Sequence, residues 1–287
     1  MTALATHVTV QDHLLPRVFA RLGRATRRLP LLRPPLQLAY KRYFNGIGGH
    51  ARLFRGVYPD FAAAIAAIPE GRREGYDNGA SATRLATDRF SIRLNDYPIL
   101  FWLQRLLPHG SRIFDWGGNV GISYFSYRKY LANCTELDWL IEDVPAVVAL
   151  GREIASLEDS PSLRFTESLE ALSSSDILLA AGSLQFIPEP FEQLRAQSSL
   201  PPHVLLSKLP VYDRPARVTL QNMGTAFSPN QLFNRDDLLR QFTDLGYELI
   251  DEWRDPAFSC RIPFHDDYSI SAYSGFYFRN AALGEPH

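Results

Sequence analysis

The chain has 287 residues, enough for one large domain or one large and one smaller unit. Hydrophobic residues make up 46% and charged residues 21%, the balance of an ordinary globular protein. A net charge of −1 argues against a nucleic-acid partner, and two cysteines with no CxxC argue against a zinc site or a disulfide framework, so a reducing cytoplasm fits.

The opening "MTALATHVTVQDH" has no basic start and no long apolar core, so it does not read as a signal peptide. Residues 1–60 hold ten Lys and Arg against two acids, Asp12 and Asp60. Within them, 16–30 has helical spacing: Leu15, Val18, Phe19, Leu22 and Leu29 share one side, and Arg17, Arg21, Arg24 and Arg28 another. Residues 15–29 therefore have three readings: lying on an anionic membrane at the inner face, gripping a partner, or docking on their own domain with a solvated basic face. "RPP" at 33–35 breaks this helix and closes a basic N-terminal segment, 1–35. Residues 36–110 read as a mostly helical cap, clearest at 59–69 and 95–110, with a loop at 69–79.

From 111 to 280 short apolar runs alternate with helical patterns, the mark of βα units around a parallel sheet. Strands are expected at 112–116, 137–143, 163–166, 176–183, 203–210, 247–253 and 273–280. Helices are expected at 121–133, 145–157, within 189–198, and at 235–246, with Gly246 as C-cap. The stretch 210–233 reads as a long Pro- and Gly-containing connection, and 281–287 as a tail. The fold class is α/β, a Rossmann-like sheet behind a helical N-terminal cap.

"FDWGGNVG" (114–121) places Asp115 at a strand end, then Gly117, Gly118 and Asn119, then Gly121 at a helix start. Such a turn suits close approach of a ligand to backbone. A phosphate-binding loop needs GK[ST] at its end, and "NVGIS" has none. A dinucleotide fingerprint needs glycine at 116, 118 and 121, but position 116 is Trp. S-adenosylmethionine (SAM) carries an amine and a sulfonium, both cationic. An acid beside the turn, Asp115, suits it, and small residues let its tail cross.

At these residues the chain resembles motif I of the class I SAM-dependent methyltransferases. The resemblance implies a seven-stranded sheet with an antiparallel seventh strand. It also implies an acid at the second strand end for the two ribose hydroxyls; Glu142 and Asp143 stand there, and "DVPAVV" is similar to the "DLPxVI" run of small-molecule O-methyltransferases, which points to Asp143 first. Gly182 and Ser183 would pass near the methyl-donating end. Asp115 and Asp143 also suit helix N-caps. More narrowly, "GYDN", "DYPIL", "SLQFIPEP" and "YSGFYF" are similar to a group of bacterial methyltransferases often encoded with surface-polysaccharide genes, over nearly all of 40–280.

Ligands of open α/β sheets bind beyond the C-terminal strand ends, where 183–190, 209–230 and 254–272 should meet. "CRIPFHDDYS" (260–269) offers His265 beside Asp266 as a candidate catalytic base and its orienting acid; no metal is expected there. Gln185, Tyr212 and Gln221 are candidate substrate contacts. The expected activity is SAM-dependent O-methylation of a small-molecule or glycan hydroxyl. The alternatives are an NAD-dependent oxidoreductase and a non-catalytic SAM-fold adaptor.

Overall fold

A computed structural model describes residues 14–25, 30–46, 53–72, 74–75, 77–79, 91–107, 112–132, 134 and 136–283. In chain order it contains α1 (Leu14–Ala25), α2 (Arg33–Phe44), β1 (Leu53–Tyr58), α3 (Phe61–Ile65), α4 (Tyr97–Leu106), β2 (Arg112–Trp116), α5 (Ile122–Tyr127), β3 (Asp138–Glu142), α6 (Pro145–Leu157), β4 (Leu163–Thr166), β5 (Ile177–Ala181) and α7 (Pro190–Arg195). There follow β6 (His203–Leu209), β7 (Val211–Tyr212), β8 (Arg217–Asn222), β9 (Phe227–Asn234), α8 (Arg235–Asp244), β10 (Tyr247–Asp255) and β11 (Tyr273–Asn280).

The expected seven-stranded sheet is present, in the order β10-β11-β6-β5-β2-β3-β4. β2 to β6 pair in parallel, and β11 runs antiparallel to both of its neighbours. Strand alternation sends Ile113, Trp139, Ile141, Ile177 and Leu179 to one face, against α4, α5 and α6. It sends Phe114, Leu140, Leu178, Val204, Leu206, Phe276 and Phe278 to the other, against Leu194 of α7 and Leu238 and Phe242 of α8. Burial on both faces is why these strands read as near-continuous apolar runs.

Two expectations are corrected. The stretch 210–233 is not an irregular connection: it holds β7, β8 and β9, which with β1 form a second sheet in the order β1-β8-β9-β7. Pro229 in mid-strand hides β9 from a reading by sequence, because proline normally demotes a run from strand. Within 36–110 the described residues include β1 beside the helices α2, α3 and α4. At 33–35, Pro34 and Pro35 do not end the first helix, which is described to Ala25; they sit in the first turn of α2, where the missing N–H costs nothing. The inner faces of α1 and α2 pack on the second sheet through Phe19, Tyr40, Phe44, Leu53, Leu220, Phe227 and Phe264.

Candidate functional site

The Gly-rich turn leaves the C-terminal end of β2, at the centre of the parallel sheet. Its first two glycines are required by the protein's own side chains. A Cβ on Gly117, which has φ +70°, would stand 2.5 Å from the Cβ of Ser183. A Cβ on Gly118 would stand 2.5 Å from the Asp115 carboxylate. Ser183 Oγ donates to the Trp116 carbonyl, which ties the β5 turn to this one. Gly121 is the N-cap of α5, and Asp115 caps no helix.

The N–H groups of the turn are turned inward. Gly117 N donates to the Glu142 carbonyl at 2.8 Å, Asn119 N to Asp143 Oδ2 at 2.9 Å, Val120 N to Asn119 Oδ1 at 2.7 Å and Gly121 N to the Gly118 carbonyl at 3.3 Å. Asp143 Oδ1 accepts from Val144 N at 2.8 Å, so both of its oxygens serve backbone. The helix N-terminus that follows, α6, takes a side-chain acceptor from elsewhere: Ala146 N donates to Asp77 Oδ1 at 3.0 Å. Asp77 is thereby tied to α6, and Gly75 to the second sheet, its N donating to the Phe227 carbonyl of β9 at 2.8 Å.

Acids crowd this turn. Asp115 is fully buried; its Oδ2 accepts from Trp139 Nε1 at 3.0 Å, and its Oδ1 has no partner. Burial pushes Asp115 up to about 7, against the Trp139 hydrogen bond; Asp143 adds to the rise and Lys208 opposes it. Burial, helped by Asp143, raises Glu142 to about 7. Burial raises Asp143 to about 6, against the N–H groups of Val144 and Asn119. Glu142 ends β3 beside Trp116 in register, half-buried.

Sequence reasoning missed the cation of the site. Lys208 sits near the C-terminal end of β6, at an irregularity in the pairing with β11, with φ +58°. A left-handed backbone at a non-glycine residue is strain of the kind that collects at functional positions. Its Nζ donates to Asp96 Oδ1 at 2.9 Å, with side chains 17% and 7% exposed. Asp96 Oδ2 accepts from Arg93 N at 2.9 Å. Close by, Asp255 accepts from Asn95 Nδ2 at 3.0 Å, and burial raises its pKa. The available signal was "DYPIL", whose Asp falls outside the apolar pattern of its helix.

The other expected residues divide. Gln185 is buried by the Gly182 turn, its Nε2 donating to the Gly182 carbonyl at 2.9 Å and its Oε1 without a partner. Gln221 lies on β8, accepting from Asn230 Nδ2 at 3.0 Å, and β9 packs on the turn that carries Gln185. Tyr212 donates to the Pro215 carbonyl at 2.8 Å and faces Tyr268, at the edge of the second sheet. His265 and Asp266 face the N-terminal helices: Arg24 of α1 donates to Asp266 Oδ1 at 3.1 Å, and Arg33 of α2 to the Phe264 carbonyl at 2.8 Å. Burial lowers the His265 pKa, as does Arg33, while Asp266 opposes them.

No family model matches the sequence, and no curated protein matches it. Among solved structures the chain is similar to the 1,6-didemethyltoxoflavin-N1-methyltransferase of Burkholderia thailandensis, with bound 1,6-didemethyltoxoflavin and S-adenosylhomocysteine. Identity there is 15%, over 70% of this chain and 84% of that one, with a TM-score of 0.46. It is also similar to an S-adenosylmethionine-dependent methyltransferase of Mesorhizobium loti, at 13% identity over 64% and 97% of the two chains, TM-score 0.43. A third is the CcbJ methyltransferase of Streptomyces caelestis, at 14% identity over 65% and 90%, TM-score 0.41.

Proposed function

We propose that the chain is a SAM-dependent methyltransferase whose cofactor rests on the 117–121 turn. One observation carries the reading: the turn spends four N–H groups on the protein's own oxygens and stands among Asp115, Glu142 and Asp143. A pyrophosphate needs free N–H groups and tolerates no such cluster of acids. A cationic ligand without phosphate is what these surroundings favour, and that speaks for SAM over NAD.

The residues fit such a ligand. Glu142, at the strand end, offers carboxylate oxygens to a ribose diol, whereas Asp143 has both of its oxygens on backbone N–H groups. Asp115 lies under Gly118 with one oxygen unpaired, and its negative charge grows as pH rises through about 7. When bound, SAM supplies a methyl group already activated by its positive sulfur. The protein's share is alignment and exclusion of water, which falls to the Gly182–Ser183 turn, the segment that Asp77 ties to α6 and the second sheet. Methylation of a small-molecule or glycan hydroxyl is the reaction we assign. Gln185 and Gln221 are its acceptor contacts. His265, whose neutral form burial and Arg33 favour, is its candidate base.

Calorimetric titration with SAM and, separately, NAD tests this. Saturable SAM binding that Gly118→Val abolishes, with no NAD binding, is expected. Absence of SAM binding, or tighter NAD binding, overturns it.

A further inference from the structure

The acid-free stretch near the N-terminus has a use that methyl transfer does not require. Between Asp12 and Asp60 the chain contains no Asp or Glu and ten Lys or Arg. Its described helices dock by one face only. Phe19, Ala20 and Gly23 of α1 and Leu36, Tyr40, Tyr43 and Phe44 of α2 turn to a single cluster that includes Phe264. Because both helices bury their inner faces in that one cluster, their outer faces turn away from the protein together.

Those outer faces are apolar as well as basic. Leu31 is 89% exposed, Leu32 52%, Leu38 50%, Leu22 38% and Val18 37%. Arg21, Lys41 and Arg42 are exposed among them. A purely solvated basic face would not carry five large aliphatic side chains. Exposed aliphatics interleaved with cations, in a segment that has no Asp or Glu of its own, are the chemistry of a surface that enters the headgroup layer of an anionic bilayer. We propose that the outer faces of α1, α2 and the 30–32 turn between them form a peripheral docking surface for anionic lipid. Arg24 takes no part in it, because it is spent on Asp266, which fixes α1 to the body. No described helix is long and apolar enough to cross a membrane. The contact is with the headgroup layer.

The surface sits on the same helices that cover the His265 loop, through Arg24 and Arg33. The proposed docking helices thus lie against the loop that carries the candidate base. The docking surface does not depend on the methyltransferase reading, and its test contains no cofactor.

The test is co-sedimentation of the full chain with vesicles of phosphatidylcholine alone and of phosphatidylcholine with phosphatidylglycerol, at low and high salt. Binding to the phosphatidylglycerol vesicles that is released by salt is expected. Arg21→Glu with Arg42→Glu should weaken it about tenfold or more. Leu31→Ser with Leu32→Ser should weaken it by a similar factor while leaving the salt dependence unchanged. All four residues are exposed, so melting temperatures should match the parent chain; the salt dependence of the unmodified chain supports or sinks the proposal even if a variant misfolds. No binding to anionic vesicles, or binding that neither pair of substitutions alters, overturns the proposal. So does capture of an acidic protein through these residues without vesicle binding.

Discussion

Gly118 lies directly over the carboxylate of Asp115: a Cβ at 118 would stand 2.5 Å from Asp115 Cγ and from its Oδ2. The glycine and the acid are one device. The acid can be buried beneath the turn because the residue above it has no side chain. Its field then reaches whatever rests on the turn. Gly118→Ala is therefore expected to cost about 1–3 kcal/mol of stability through overpacking and to abolish SAM binding. Urea unfolding and calorimetry check both; unchanged stability and affinity would remove the packing account.

Asp115, fully buried, and Glu142 and Asp143, half-buried, make stability depend on pH with a definite sign. Asp115 and Glu142 are raised to about 7 and Asp143 to about 6. In the unfolded chain each titrates near the ordinary carboxylate value of about 4. Between those values the folded state holds more protons than the unfolded state, so stability falls as pH rises. The contribution is complete below the unfolded value and is lost as pH climbs through the folded ones. Melting temperature should accordingly decline from about pH 5 to about pH 8, and Asp115→Asn should flatten the decline. A curve that rises over that window would contradict the burial of these groups. SAM affinity should move the other way, since a cation is held better once the acids have ionised.

Glu142 and Asp143 should separate binding from stability. Asp143→Asn disturbs two N–H···carboxylate bonds and is expected to cost about 1.5–3 kcal/mol, because hydrogen bonds to charged groups are the stronger kind. Glu142→Gln removes a half-buried charge and should leave stability level or improved, yet reduce SAM affinity about tenfold or more by weakening the grip on a diol. Denaturant curves and titrations on both variants decide it. The reverse pattern would make Asp143 the ribose ligand, as its "DVPAVV" context first suggested.

The Lys208–Asp96 pair should behave as a buried ion pair. Lys208→Met alone leaves Asp96 charged and shielded from water, an expected loss of about 3–5 kcal/mol. Lys208→Met combined with Asp96→Asn removes that stranded charge and should recover part of the loss, since the amide oxygen can still accept from Arg93 N. A double-variant cycle by urea unfolding reads the coupling. Additive losses would show that the pair does not hold residues 91–106 to the sheet.

Much of this protein is legible along the chain. The limits of β4, α6 and β11 agree with the spans read from the sequence, because each carries a distinct apolar pattern; Ser162 precedes β4 and Pro145 opens α6. The second sheet was hidden for a physical reason. Ser228, Pro229, Asn230 and Gln231 run together in β9, so it lacks the apolar alternation that marks a strand, and β8, whose Val218 and Leu220 alternate with the buried polar Thr219 and Gln221, stands in the sequence without a legible partner. The Gly-rich turn was legible as a ligand loop, but the reason for its glycines was not. Sequence spacing suggests room for a ligand; the fold fills the space at Gly117 and Gly118 with Ser183 and Asp115.

Local pattern thus sufficed for the class of sheet, the place of the turn and the basic character of the N-terminus, since periodicity, turn chemistry and charge are properties of neighbours in the chain. Distance along the chain concealed the rest. Lys208 and Asp96 are 112 residues apart, and Asp77 and Ala146 are 69 apart. No local rule pairs them; they meet because a parallel sheet gathers its C-terminal strand ends at one edge. The same gathering carried the His265 loop to Arg24 and Arg33, so that a cluster which reads as catalytic in sequence also anchors the helices that bear the basic surface.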